Sequence, residues 1–279
     1  RRQPPTYRQR MDDLARLGEA VRRHRDELVK AVSADFGRRS RHETLAADIM
    51  TTLDEVAYLR RKLRRWMRPE RRGVNWAFLP ARAELRPMPL GVVGIMAPWN
   101  YPIQLVLVPL ADAIAAGNHV MVKPSEFTPR TSALLATLLA EVFPADRVAV
   151  VQGDAAVGAA FSRLPLDHLL FTGSTAVGKA VMAAAAPNLV PVTLELGGKS
   201  PALVAPGFDI ARAASRIASG KCFNAGQTCV APDYVLVPRA QRDAFVDAYF
   251  AAVAQRYPTL AGNPDYTAVV NARQAARLR

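Results

Sequence analysis

Cys229 stands at the end of Phe223-Asn224-Ala225-Gly226-Gln227-Thr228-Cys229 and is one of only two cysteines in 279 residues. The stretch before it is small, polar and glycine-containing, which suits an accessible thiol better than a packed one. Thirty-four residues upstream, Glu195 closes an apolar run in Leu194-Glu195-Leu196-Gly197-Gly198-Lys199-Ser200-Pro201. A thiol nucleophile with a separately placed carboxylate is the minimum equipment for making a thioester and then hydrolysing it. The other cysteine, Cys222, reads as a small core residue.

Three more segments carry polar groups at the ends of apolar runs. Asn100 lies between two prolines in Pro98-Trp99-Asn100-Tyr101-Pro102; its backbone is restricted, and its amide could face a developing oxyanion. Taken alone, a turn asparagine is the simpler reading. Lys123-Pro124-Ser125-Glu126 could reach a ribose or phosphate through Lys123 and a ribose hydroxyl through Glu126, although a loop lysine before a helix cap has the same pattern. Phe171-Thr172-Gly173-Ser174-Thr175-Ala176-Val177-Gly178 reads as strand, glycine turn and helix start, where backbone N–H groups favour an anion. It departs from the usual dinucleotide G-x-G-x-x-G, and a plain strand-to-helix turn fits it equally.

These segments need elements to hold them. From Gly91 onward, short apolar runs (92–96, 120–122, 148–151, 169–171, 192–194) alternate with helical stretches (104–116, 131–142, 155–162, 176–185). That alternation predicts βαβ units and a parallel sheet with helices on both faces. It restarts after Pro201 with strands at 202–204 and 234–237 and helices at 210–219 and 239–255. Before Gly91, apolar residues at helical spacing predict two long amphipathic helices over 7–37 and 41–67. An extended arm follows over 73–89, carrying Trp76, Phe78, Leu79 and Leu85.

Bulk properties narrow the function classes. Half the residues are apolar, so the chain can bury a core. Two cysteines exclude a disulfide scaffold and fit a reducing, cytoplasmic setting. The longest apolar tract is broken by Pro98, Asn100, Pro102, Gln104 and Asp112, which excludes a membrane span there. The net charge of +13 is concentrated in Arg60–Arg72, where eight of thirteen residues are Lys or Arg. With 31 Arg and 6 Lys in the chain, the run reads as a solvated helix face rather than a nucleic-acid or membrane patch. The histidines (His24, His42, His119, His168) are scattered, and no metal-ligand spacing is present.

Taken in order, the five motifs ending at Pro102, Glu126, Thr175, Pro201 and Cys229 resemble the aldehyde dehydrogenase superfamily. The short N-terminal region and the segment 89–102 look like its class 3 branch, and bacterial coniferyl aldehyde dehydrogenases in particular. The resemblance implies an open, parallel, Rossmann-like sheet within residues 1–198, followed by part of an α/β catalytic domain over 199–279. It implies NAD(P)-dependent oxidation of an aldehyde, with Cys229 as nucleophile, Asn100 and the Cys229 N–H as oxyanion donors, and Glu195 as hydrolytic base. Lys123, Glu126, Gly173, Ser174, Gly178, Leu196, Gly197 and Trp99 would line the cofactor site. A small aldehyde would be the substrate, a homodimer the assembly, with NAD preferred and NADP possible. The family's downstream Glu-Ile-Phe-Gly-Pro segment and dimer strand are not in this sequence, so truncation is expected. The alternative is a catalytically weak remnant that binds nucleotides or anions, using the basic 60–72 face.

Overall fold

The computed structural model describes residues 4–278. Helix α1 (Tyr7–Arg23) starts at Thr6, whose hydroxyl accepts the Gln9 N–H while the Gln9 side chain accepts the Thr6 N–H. The expected first helix is broken at His24, and α2 (Arg25–Asp35) sets off in a new direction. Packing accompanies the break: α1 lies on the fourth, fifth and sixth helices, whereas α2 lies mainly on the sixth. The His24 ring, bonded to Glu27 (2.8 Å) and Glu141 (3.1 Å), pins the corner. The second expected helix is also interrupted. A short α3 (Arg41–Glu43) runs into a π-helical turn, Thr44–Met50, before α4 (Thr51–Trp66) resumes.

The arm is a small antiparallel hairpin of β1 (Glu70–Arg72) and β2 (Ala83–Leu85). Of its large apolar residues only Leu85 lies in a strand; Trp76, Phe78 and Leu79 lie between the strands, where Asn75 caps a 3-10 turn over Trp76–Phe78. The arginines of the 60–72 run are exposed, while Leu59 and Leu63 are buried on the other side of α4.

The alternating segment forms β3 (Val92–Met96), α5 (Gln104–Ala116), β4 (His119–Lys123), α6 (Pro129–Val142), β5 (Val148–Val150), α7 (Ala155–Phe161), β6 (His168–Thr172), α8 (Thr175–Ala185) and β7 (Val192–Glu195). The five strands make one sheet in the order β5-β4-β3-β6-β7, all parallel. Alternate residues feed opposite faces. Val93, Ile95, Val120 and Val122 join the core with α1, α2, α4, α5 and α6. Met96, Leu169 and Phe171 join a second core with Phe161, Val181 and Ala185. In α5, Leu107, Leu110 and Ile114 are wholly buried, each contributing about 1.5–3 kcal/mol.

Beyond Glu195 the chain starts a separate two-stranded parallel sheet, β8 (Ser200–Leu203) with β9 (Pro232–Leu236). It carries α9 (Ile210–Cys222) and α10 (Arg242–Arg256), which pack around Val204, Ala213, Ala214 and Phe245. A short α11 (Ala272–Arg277) follows. Among the described residues no helix is long and apolar enough to cross a membrane.

The entry to β3 depends on Gly91. Its φ is +138°, and an added Cβ would lie 2.0 Å from Asp167 Oδ2, the oxygen that accepts the Val92 N–H at 2.8 Å. Gly91→Ala is therefore expected to lower stability by about 2–3 kcal/mol through backbone strain and a displaced hydrogen bond. A urea titration checks this: the midpoint falls while the slope is unchanged.

Candidate active site

In a parallel sheet all strands end on one edge, and an order that reverses around its first strand opens a crevice there. β3 is that strand, flanked by β4 and β6. Its C-terminal end leads into Pro98-Trp99-Asn100, that of β4 into Pro124-Ser125-Glu126, that of β6 into Gly173-Ser174, and that of β7 into Leu196-Gly197-Gly198. The fold thus gathers four of the five motifs on one rim. The fifth, the Cys229 loop, reaches the same rim from α9.

That loop is held by its own backbone and by buried polar groups. After α9, Asn224, Ala225 and Gly226 have φ of +51°, +52° and +75°. For the two non-glycine residues such a conformation costs about 1–3 kcal/mol each, so the surroundings must enforce it. Asn224 is fully buried. Its Nδ2 donates to the carbonyls of Asn100 (3.0 Å) and Gln227 (3.2 Å). Its own N–H is accepted by the buried Glu43 carboxylate, which also accepts the Thr267 hydroxyl at 2.6 Å. Burial pushes the Glu43 pKa up, with those two donors opposing it. Gln227 closes the loop: its Nε2 donates to the carbonyls of Asn224 (2.9 Å) and Ala268 (3.0 Å), and its Oε1 accepts the Val270 N–H (3.0 Å).

Two successive contacts join this loop to the end of β3. Asn100 Nδ2 donates to the Gln227 carbonyl at 3.1 Å, and the Tyr101 hydroxyl meets Thr228 Oγ1 at 2.5 Å. A side-chain amide has two N–H donors. One is spent on Gln227, fixing the amide plane, and the other remains for a ligand. Cys229, next along the chain, is exposed. The loop after β7 closes in from the other side, since a Cβ on Gly198 would stand 2.5 Å from the Cys229 carbonyl oxygen. Glu195, three residues earlier, is exposed; its carbonyl accepts the Gly173 N–H at 2.9 Å. Among the described residues its carboxylate makes no hydrogen bond or ion pair. It is open to solvent.

The remaining sequence-selected residues lie along the same rim. Lys123 is buried and its ammonium pairs with Glu126 Oε2 at 2.8 Å. Burial raises the Glu126 pKa, but the Lys123 hydrogen bond and charge and its own backbone N–H outweigh this, leaving it below the usual carboxylate range. Ser174 caps α8 by accepting the Val177 N–H at 3.4 Å, so its hydroxyl proton stays available. Gly173 is required by packing, because a Cβ there would come within 2.5 Å of the Phe171 ring. Gly178 lets Leu196 approach, its added Cβ standing 3.0 Å from Leu196 Cδ2. Gly197 has open space around it. Trp99 is half-buried and turns its ring toward Phe36, with centroids 6.2 Å apart. His119 and His168 are bonded to the Asp146 carbonyl and to Thr193 Oγ1, away from this rim. Among the described residues no group of three or more His, Cys, Asp or Glu side chains could hold a metal.

Sequence reasoning did not find Arg39, Glu43, Asp48, Asn224, Gln227 or Thr267 as site residues. Asn224 and Gln227 sit inside the Cys229 motif, and their polarity in a loop next to a thiol was the available signal. The others are distant in sequence and give none.

The model of the aldehyde dehydrogenase family matches residues 2–279. The chain is 54% identical over 275 residues to a probable coniferyl aldehyde dehydrogenase of Pseudomonas aeruginosa, covering 99% of this chain and 58% of that protein. It is similar in structure to the substrate-bound AldH of Staphylococcus aureus, with TM-score 0.95 and 38% identity over 99% of this chain and 60% of that one. An aldehyde dehydrogenase of Mycobacterium tuberculosis complexed with NAD+ gives TM-score 0.85 and 30% identity, covering 96% and 56%. The chain thus spans just over half the length of the proteins it matches.

Two cysteines in such different settings should react differently. Cys222 is buried, and burial pushes its thiol pKa up; Cys229 is exposed. Limited iodoacetamide treatment followed by peptide mass mapping is expected to label Cys229 about tenfold faster or more. Preferential adducts on Cys222 would remove Cys229 from the nucleophile position.

Proposed function

The chain belongs to the aldehyde dehydrogenase family, and from that premise we propose that its site oxidises an aldehyde to a carboxylic acid through a thioester on Cys229, with a nicotinamide dinucleotide as oxidant. The observation that carries this reading is the double contact of Asn100 and Tyr101 with Gln227 and Thr228. It seats an amide donor beside the loop that ends in an exposed thiol. An aromatic aldehyde of the coniferyl type is the substrate class favoured by the Pseudomonas relative.

Cys229 Sγ attacks the aldehyde carbonyl, and the charge that develops on oxygen is met by the free Asn100 amide N–H and the Cys229 backbone N–H. When bound, the dinucleotide supplies the hydride acceptor that converts the carbon to the thioester oxidation level. Glu195 then takes a proton from water as it attacks the thioester carbonyl, and the Cys229 thiolate leaves with release of the acid. An ionisable group there fits hydrolysis better than acyl transfer to another thiol.

The residues present fit a dinucleotide. The opening turn of α8 offers backbone N–H groups and the Ser174 hydroxyl to a pyrophosphate. Lys123 and the ionised Glu126 stand together at the end of β4, where a ribose would lie. Gly178, Leu196 and Gly197 line the strand ends between them and Cys229, and Trp99 flanks Asn100. On this reading residues 1–198 are the N-terminal helices, the arm and the dinucleotide-binding domain, and 199–279 belong to the catalytic domain. The separate sheet beginning at Ser200 supports that division. A homodimer in a reducing cytoplasm, where both cysteines stay free, completes the proposal.

Aldehyde-dependent NADH formation by the purified protein tests the reaction. Glu195→Gln is expected to leave a first-turnover burst of NADH and to slow steady turnover by on the order of 10²–10⁴. Loss of the burst together with turnover would place Glu195 before the hydrolytic step.

Cofactor choice follows from Glu126. An ionised carboxylate there accepts a ribose 2′-hydroxyl and repels a 2′-phosphate, so NAD is expected to bind better than NADP. The 2.8 Å Lys123 partner keeps the gap modest. Glu126→Gln should narrow it by about 1 kcal/mol, as read from the two affinities by titration. An unchanged ratio would remove Glu126 from the site.

A further inference from the structure

We infer that Arg39, held by Asp48, is a positioning residue for the oxyanion donor: it fixes the backbone of Asn100 and so aims the amide at the carbonyl being attacked. The inference rests on the proposed role of Asn100.

Arg39 and Asp48 side chains are both fully buried and form an ion pair at 2.9 Å. The other terminal nitrogen of the guanidinium, Nη1, donates to the Asn100 carbonyl at 2.8 Å. The guanidinium also lies 5.0 Å from the ring centroids of Phe36 and Tyr101. Asp48 extends the brace along the same segment, its Oδ1 accepting the N–H groups of Ile103 (3.2 Å) and Gln104 (3.0 Å). One ion pair therefore grips residues 100–104 at a carbonyl and at two amide N–H groups.

A stability role alone explains this poorly. Burying two charges costs desolvation that their attraction roughly repays, and an apolar pair of the same volume is often as stable. What an apolar pair lacks is direction. The guanidinium presents donors in a rigid fork, so contact with Asp48 and with the Asn100 carbonyl are met in one geometry. Asp48 itself sits in the π-helical turn Thr44–Met50, where the irregular winding departs from a plain helix; such turns are frequent at functional sites. Displacing the Asn100 carbonyl rotates the peptide that carries its side chain, and small misplacements of a catalytic group are costly in rate.

Acylation of Cys229 by p-nitrophenyl acetate tests this without any cofactor. The thiolate attacks the ester carbonyl, an oxyanion forms, and it collapses to a thioester with loss of p-nitrophenolate, whose first-turnover release is measured. Alkylation of Cys229 by iodoacetamide is the control, since displacement of iodide develops no oxyanion. Two variants are used: Arg39→Lys, and Arg39→Met with Asp48→Asn, which leaves no unpaired buried charge and keeps an acceptor for Ile103 and Gln104. Thermal unfolding of each establishes which is folded. Asn100→Ala is expected to slow acylation about a hundredfold, as for loss of one oxyanion donor. The Arg39 variants should slow it about tenfold or more, with alkylation within about twofold of the unsubstituted chain. Adding Asn100→Ala to either should give no loss beyond Asn100→Ala alone. Acylation at the original rate, alkylation falling in step with acylation, or additive losses would overturn the inference. If instead Asn100→Ala acylates normally, or Cys229→Ala still gives the burst, the oxyanion reading itself fails.

Discussion

A single carbonyl oxygen, that of Asn100, accepts from Arg39 Nη1 at 2.8 Å and from Asn224 Nδ2 at 3.0 Å. A backbone carbonyl has two lone pairs, and both are used. One donor comes from the turn between α2 and α3 and the other from the loop after α9, while the acceptor belongs to the segment that follows β3. Three segments distant in the sequence therefore share one atom. Moving any of them independently would leave a buried donor or acceptor without its partner, at about 1–3 kcal/mol each. Neighbouring bonds reinforce this point. Glu43 ties Asn224 and Thr267 together, and Gln227 ties the Cys229 loop to Ala268 and Val270.

The parallel sheet decides where this node can be. All five strands run in one direction, so their loops crowd one edge, and the loops must pass close to one another. The close approaches fall at glycines. Gly173 lies against Phe171, Gly178 against Leu196 and Gly198 against the Cys229 carbonyl. In the last two cases a side chain on the glycine would push apart motifs from different elements. The glycines beside the polar residues are thus packing requirements as much as turn formers.

This explains which parts were legible in the sequence. The strands and helices between Gly91 and Glu195 follow a local apolar rhythm, and their observed bounds lie within two residues of those read from it. The bend at His24 and the π-turn at Thr44–Met50 do not, because both arise from partners far along the chain: α6 for one, the start of α5 for the other. The same holds within the site. Cys229, Glu195 and Asn100 are chemically conspicuous residues in conspicuous settings. Arg39 falls in the turn between two expected helices and Glu43 and Asp48 on the second of them, and only the tertiary structure shows that all three are buried. A left-handed backbone at Asn224 and Ala225 is likewise unmarked, since neither residue type demands it.

Exposure separates the two sets by task. Cys229 and Glu195 are exposed to solvent. The ionisable groups that brace the segment after β3 and the loop before Cys229 are buried: Arg39 with Asp48, and Glu43 between Asn224 and Thr267. Electrostatics favours this arrangement. Inside the protein the effective dielectric constant is low, so a hydrogen bond to a charged group is stronger and more directional than in water. An exposed charge, screened by solvent, could not set the angle of the Asn100 carbonyl in the same way. The buried charges are thus suited to fixing geometry, and the proposed reacting groups are the exposed ones. Because the buried set is anchored mainly in the first 50 residues, the N-terminal helices act on the site as directly as the strand ends do.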